Sequence, residues 1–147
     1  MTLEKLDHTL DPTCCLGSTP FIEADHPRVR SLARELGGAL DPPARAARLF
    51  RFVRDELRYE FRAKLTRDEY RASLVLEDGK GFCVQKAVLL SALARAVDVP
   101  AALVVPADAI VDSGLRKTVF VDCGNGSFEP RLVETGWRAG DDVEVTK

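Results

Sequence analysis

The chain has 147 residues, of which 46% are hydrophobic and 30% charged, and its net charge at pH 7 is −2. This is enough material for one domain with a buried core. The near-neutral charge predicts no general attraction to nucleic acid, and no apolar run approaches the roughly 20 residues needed to span a bilayer. The first 11 residues lack the apolar core of a signal peptide, so we expect a cytoplasmic protein without membrane insertion.

Helical patterns dominate the first hundred residues. His26-Pro27 opens the first predicted helix, and Gly37-Gly38 ends it. The second predicted helix has Asp41 as its N-cap, followed by two prolines. The third starts at Thr66, where a Glu three residues later completes a capping box, and it ends before Asp78-Gly79.

The fourth predicted helix, from about Phe82 to Val97, is apolar on nearly all sides, which is typical of a helix in the middle of a core. Short strand patterns follow it. We predict strands at Ala101–Val105 and Asp142–Thr146, and a hairpin of Thr118–Cys123 with Ser127–Val133 around a Gly-Asn-Gly turn. The fold class is therefore predicted to be α+β, with a helical part followed by a short antiparallel β-hairpin region.

One cysteine, Cys83, lies at the first turn of the fourth predicted helix, directly after Gly79-Lys80-Gly81-Phe82. Unpaired N–H groups and the helix dipole favour an anion at this position, so a thiolate would be stabilised there. The same N–H groups could stabilise an oxyanion. The alternative is that Cys83 is a small buried core residue, as free cysteines frequently are.

The stretch from Ala72 to Ala101 resembles the core motif of the transglutaminase-like superfamily. Its parts are a helix, a Gly-x-Gly-x-Cys turn, a buried helix and an exit of the form R-A-x-x-x-P-A. Residues 25–30 and 49–59 are similar to bacterial members, so the resemblance covers about residues 10–102. It implies a papain-like fold with Cys83 as the nucleophile of a Cys-His-Asp triad. It also implies acyl transfer (transamidation, deamidation or peptide hydrolysis) on a peptide or amide substrate.

The histidine and aspartate of such a triad follow the cysteine, with the histidine on a strand. That strand would fall near Thr118–Asp122, which contains no histidine. Both histidines of the sequence precede Cys83: His26 is explained by its position at a helix start, and His8 lies in an irregular tail. We therefore expect very weak or no acyl transfer. The choice between an incomplete cysteine enzyme and a non-catalytic interaction module stays open.

Residues 103–147 resemble a different family. The segments 103–122, 124–136 and 140–145 are similar to periplasmic adaptor subunits (membrane fusion proteins) of resistance-nodulation-division efflux pumps. This resemblance implies a tail without catalytic residues. It divides the chain into residues 1–102 and 103–147 and predicts a chimera joined near residues 101–103. A fragment of an adaptor is the third alternative for the function of the chain. The absence of an export signal conflicts with an adaptor role.

The remaining candidate sites are predicted to be structural. Cys14-Cys15 has no further cysteine pair or histidine at zinc spacing, so we expect no metal and no cofactor. Cys123 is expected to be an exposed thiol at the hairpin turn. The arginines of the second helix are expected to form a solvated face. The oligomeric state is not determined by the sequence.

Overall fold

The structure is a computed structural model, and it describes residues 12–61, 66–122 and 127–145. The described residues divide into a helical unit, residues 12–101, and a β unit that begins at Ala102. Helices and small sheets are both present, so the predicted α+β class is confirmed. Among the described residues, no helix is long and apolar enough to cross a membrane.

Four α-helices form the helical unit within the described ranges. They are α1 (Pro27–Gly37), α2 (Pro42–Asp55), α3 (Ala72–Asp78) and α4 (Cys83–Arg95). The predicted starts of α1 and α2 are confirmed. The Asp41 carboxylate accepts a hydrogen bond from the Ala44 N–H at 2.9 Å, as an N-cap should, and prolines occupy the first turn of both helices.

The prediction of one continuous third helix was wrong. Its first part is a 3-10 turn, Arg67–Tyr70, and the chain then becomes extended at Arg71 before α3 begins. The reason is a contact from far away in sequence. The Ala72 N–H donates to the Phe21 carbonyl, and the Ser73 N–H donates to the Glu23 carboxylate, each at 2.9 Å. Residues 21–23 therefore cap α3 and make it start anew.

Helix α4 lies at the centre of the helical unit and packs against the other three helices. Its apolar side chains are buried on several sides, as its composition predicted, and Leu89 and Leu93 are fully buried. The other helices contribute buried residues to the same core. These are Val29, Ala33, Leu49, Val53, Ala72 and Val75. Burial on several sides holds this helix in place, and its first turn is fixed with it.

Two short segments pair in parallel beside the first turn of α4. They are β1 (Arg58–Tyr59) and β2 (Lys80–Gly81), with Tyr59 opposite Gly81. The Glu60 N–H continues the pairing by donating to the Gly81 carbonyl at 3.2 Å. Neither segment was predicted, because two residues are too few for a periodic pattern. Their effect is to place residues 59–61 next to the turn that carries Cys83.

The β unit contains six strands in its described part. They are β3 (Val104–Pro106), β4 (Ile110–Asp112), β5 (Lys117–Asp122), β6 (Phe128–Val133), β7 (Thr135–Ala139) and β8 (Asp142–Val145). They form two antiparallel sheets, in the orders β3-β8-β7 and β4-β5-β6. The predicted hairpin is confirmed as the β5–β6 pair, in which Phe120 faces Pro130. Its turn, residues 123–126, lies outside the described residues.

The predicted β region was too small, since β4 and β7 were missed and two sheets are present. The strand predicted at Ala101–Val105 was also wrong in its bounds. Ala101 belongs to the helical unit, where its N–H donates to the Cys15 carbonyl at 3.2 Å and its carbonyl accepts from Arg95 at 2.6 Å. The strand consequently starts later, at Val104, and ends with Pro106 opposite Asp142.

Candidate functional site

Cys83 is the first residue of α4, and its side chain is exposed. The alternative of a buried core cysteine is therefore wrong for this residue. Cys15 is the contrasting case, because it is only 6% exposed. An exposed thiol on the first turn of a buried helix combines access from solvent with a rigid support.

The start of α4 leaves backbone donors close to the Cys83 thiol. The helical hydrogen bonds of α4 begin with Lys86, whose N–H donates to the Phe82 carbonyl at 3.0 Å. The N–H groups of Cys83 and Val84 precede it and have no acceptor in the helical ladder. Backbone N–H groups in this position suit a negatively charged oxygen, such as the oxyanion of a tetrahedral intermediate.

Gln85 fixes the turn that carries Cys83. Its side chain is 1% exposed, its Oε1 accepts from the Phe82 N–H at 3.2 Å, and its Nε2 donates to the Glu69 carbonyl at 2.8 Å. Gly81 packs against it so closely that a Cβ at that position would lie 3.0 Å from the Gln85 Cβ. Gln85 therefore joins the start of α4 to the 3-10 turn of residues 67–70. Its position three residues after the N-cap was a signal that the sequence analysis missed.

Replacing Gln85 with alanine is expected to lower the free energy of unfolding by about 2 kcal/mol, because the Phe82 N–H and the Glu69 carbonyl, both partly buried, lose this partner. Urea unfolding followed by circular dichroism measures the change. Val84→Ala is the matched control, since Val84 is the neighbouring residue and is 45% exposed. A cost for Gln85→Ala no larger than that of the control would contradict the assigned role.

Aromatic side chains surround the turn before Cys83. The Phe61 and Phe82 rings meet edge to face, with centroids 5.8 Å apart, and the Tyr70 and Phe82 rings do so at 6.0 Å. Phe61 is 67% exposed and Tyr59 is 62% exposed. An uncharged, partly open aromatic surface therefore includes the residue directly before Cys83. We call Phe61, Tyr70 and Phe82 the aromatic wall.

Charged residues in and next to β1 and β2 neutralise one another. Glu60 accepts from Lys80 at 2.7 Å and from Arg58 at 2.8 Å. The hydrogen bond from Lys80 is the main reason why the pKa of Glu60 lies below its ordinary value, although desolvation acts in the opposite direction. Because side chains alternate along a strand, these charges point away from the side that carries Tyr59 and Phe61.

The histidines have the positions that the sequence predicted, as far as the structure describes them. His26 is the N-cap residue of α1, and its carbonyl accepts from the Arg30 N–H at 3.0 Å. His8 lies outside the described residues. The segment Thr118–Asp122, where a triad histidine was sought, lies within β5 of the β unit. The structure therefore offers no imidazole on the strand at which the resemblance would have it.

The other candidates from the sequence are described only in part. No group of three or more histidine, cysteine, aspartate or glutamate side chains in the described ranges could hold a metal ion. On α2, Arg48 and Arg51 are exposed, whereas Arg45 is not part of a solvated face. Arg45 donates to the carbonyls of Gly37, Leu40 and Val97 and so fastens the ends of α1 and α4. The side chain of Cys14 and all of Cys123 lie outside the described residues.

Comparison with known proteins gives one informative result. A family model described as the transglutaminase-like superfamily matches residues 30–119. The matched region contains Cys83, passes through residues 101–103, where a join was predicted, and ends within β5. No curated protein and no solved structure matches the chain. These comparisons therefore give no support to the adaptor interpretation of residues 103–147, and the join stays a prediction.

Proposed function

The chain belongs to the transglutaminase-like superfamily, and we propose that it is a cysteine-dependent acyl-transfer domain whose nucleophile is Cys83. The observation that carries the proposal is the position of Cys83, exposed at the first residue of a buried helix within the matched region. The reaction that suits this arrangement is attack of the thiol on the carbonyl of an amide or ester.

The proposed step forms a thioester on the protein. The Cys83 sulfur bonds to the acyl carbon, and the bond between that carbon and the leaving oxygen or nitrogen breaks with its electron pair. The thiol proton reaches the leaving group through water. The N–H groups at the start of α4 would stabilise the negative oxygen of the intermediate. A second nucleophile, either water or an amine, would then release the acyl group.

We propose that this reaction is slow in this chain. Both of its histidines precede Cys83, and the β5 segment contains none. General-base assistance contributes typically 10²–10⁴-fold, so a thiol without a paired imidazole loses about that much. Acylation by an activated ester needs this assistance least, since its leaving group departs easily. Single-turnover thioester formation is therefore the activity to measure.

Incubation with p-nitrophenyl acetate is expected to add one acetyl group to Cys83, at least about tenfold faster than to the same cysteine in the urea-unfolded chain. Intact-mass measurement and peptide mapping would identify the site. Cys83→Ala should abolish this fast adduct. Cys15 serves as an internal control, because it remains in that variant and is buried.

Two outcomes would contradict the proposal. One is a Cys83 acylation rate that does not change on unfolding, and the other is a fast adduct that persists in Cys83→Ala. Either would favour the second candidate, a non-catalytic interaction module that keeps the family fold. A Cys83→Ser variant shows whether loss of the adduct comes from lost sulfur or from a disturbed helix start, because serine preserves the size and polarity of the side chain.

A further inference from the structure

We propose that the aromatic wall of Phe61, Tyr70 and Phe82 binds the acyl group of the substrate, and that Cys83 therefore accepts apolar, preferably aromatic, acyl groups in preference to charged ones. This inference rests on the proposed function, because it names the substrate class of the same site. It concerns the acyl donor only.

The first step of the argument is proximity along the backbone. Phe82 directly precedes Cys83, and its ring contacts both other members of the wall. Phe61 reaches it because β1 pairs with β2 and the Glu60 N–H extends that pairing to the Gly81 carbonyl. Tyr70 reaches it because Gln85 ties the 67–70 turn to α4. Two separate segments thus bring their rings to Phe82, the residue before the nucleophile.

The second step is that the wall is not closed by the helical unit itself. Phe61 is 67% exposed although its ring packs on that of Phe82, and Val84, directly after Cys83, is 45% exposed. Large exposed apolar groups placed together are costly in water and typically mark a binding surface. Because Phe82, on which Phe61 packs, directly precedes the exposed Cys83, the group that would cover this surface is the part of the substrate attached to the reacting carbonyl.

The third step is the distribution of charge. Glu60 binds both Lys80 and Arg58, so these three side chains satisfy one another. Arg58 and Glu60 alternate with Tyr59 and Phe61 along residues 58–61, and Lys80 is paired with Arg58, so the three charged side chains lie on the other side. A charged acyl group placed against the wall would lose water without gaining a partner, which is unfavourable. An aromatic acyl group would instead gain edge-to-face or stacked ring contacts.

The experiment compares three activated esters of p-nitrophenol: the acetate, the phenylacetate and the hemisuccinate. The rate of Cys83 acylation is measured by mass spectrometry and divided by the rate of the same ester with N-acetylcysteine, which corrects for intrinsic reactivity. We expect the corrected rate for phenylacetate to exceed that for hemisuccinate by about tenfold or more. Phe61→Ala should reduce this preference about fivefold.

Phe50→Ala is the matched control. Phe50 is 50% exposed on α2 and contacts the Arg54 guanidinium, and it is not a member of the aromatic wall. Phe61→Leu is the second variant, because it keeps an apolar side chain and should retain part of the preference. Urea unfolding of each variant would confirm that the helical unit is intact.

The outcomes separate the two proposals. In one outcome, Cys83 is acylated quickly by the acetate ester but shows no preference for the phenylacetate ester, or Phe61→Ala leaves the preference unchanged. The aromatic wall is then not the acyl site, and the proposed function still stands. If no ester acylates Cys83 faster in the folded than in the unfolded chain, the proposed function fails, and this inference fails with it.

Discussion

Replacing Arg95 with alanine is expected to lower the free energy of unfolding by about 3–4 kcal/mol. Arg95 is the last residue of α4 and only 6% exposed, yet it is charged. Its Nε donates to the Ala101 carbonyl at 2.6 Å and its Nη1 donates to the Gly17 carbonyl at 2.7 Å. Hydrogen bonds of charged groups contribute about 1.5–3 kcal/mol each, and the variant also leaves both carbonyls without this donor.

The position of these bonds explains why the effect should be large. They fasten the chain that enters the helical unit and the chain that leaves it to the same end of the central helix. Arg95→Lys keeps the charge but has one nitrogen, so it cannot reach both carbonyls in the same geometry and should recover only part of the loss. Urea denaturation followed by far-ultraviolet circular dichroism measures all the variants.

Arg48→Ala provides the matched control for this experiment, since Arg48 is an exposed arginine on α2. Surface substitutions of this kind usually change stability by less than about 0.5 kcal/mol. If Arg95→Ala cost no more than Arg48→Ala, the two bonds to Ala101 and Gly17 would not be holding the unit together.

Replacing Glu23 with alanine is expected to cost about 3 kcal/mol at neutral pH. Glu23 is 7% exposed, and its carboxylate accepts from the Ser73 N–H at 2.9 Å and from two nitrogens of Arg71. It caps α3 from 50 residues away in sequence. The Arg71 side chain is 45% exposed, so water screens its share of the interaction and the capping bond carries much of the effect.

The same carboxylate gives the stability of the protein a defined pH dependence. Desolvation alone would raise the pKa of Glu23, but the hydrogen bonds from Ser73 and Arg71 and the charge of Arg71 outweigh it, so the pKa lies below its ordinary value of 4.5. A lowered pKa means that the folded state binds the proton less readily than the unfolded state. The contribution of Glu23 is therefore complete above pH 4.5 and is lost as the pH falls through the lowered pKa.

Glu23→Gln isolates this effect, because glutamine keeps the size of the side chain and cannot ionise. The stability difference between the natural chain and Glu23→Gln should be constant from pH 7 to about pH 5 and should shrink at lower pH. Other carboxylates, such as Asp25 and Glu60, are present in both proteins and cancel in the comparison. A difference that stayed constant down to pH 2 would contradict the assigned role of the charge.

Local patterns predicted the helices well. The start of α2 depends on Asp41 and the prolines after it, the end of α3 on Gly79, and the burial of α4 on its apolar composition. Gly79 adopts a positive φ of 63°, a conformation that glycine reaches without steric cost. These are interactions between residues a few positions apart, so they can be identified without knowledge of the fold.

Contacts between distant segments account for the errors. Residues 21–23 cap α3 and divide the helix that the local pattern predicted to be continuous. The Cys15 carbonyl accepts from the Ala101 N–H and so keeps Ala101 out of the strand predicted there. The β1–β2 pair is two residues long and has no pattern to detect. In each case a hydrogen-bonding partner lies far away along the chain, and local propensity does not reveal it.

Four features could be predicted from local patterns and motifs. They are the α+β class, the helix that carries Cys83, the position of Cys83 on its first turn and the superfamily resemblance, which the family model confirms for residues 30–119. Folding brings about the exposure of the thiol, the hydrogen bonds by which Gln85 holds its turn, and the contacts of Phe61 and Tyr70 with Phe82. A helix start is determined by residues that are adjacent in the chain. The exposure of a side chain and its ring contacts depend on which distant segments pack around that helix start.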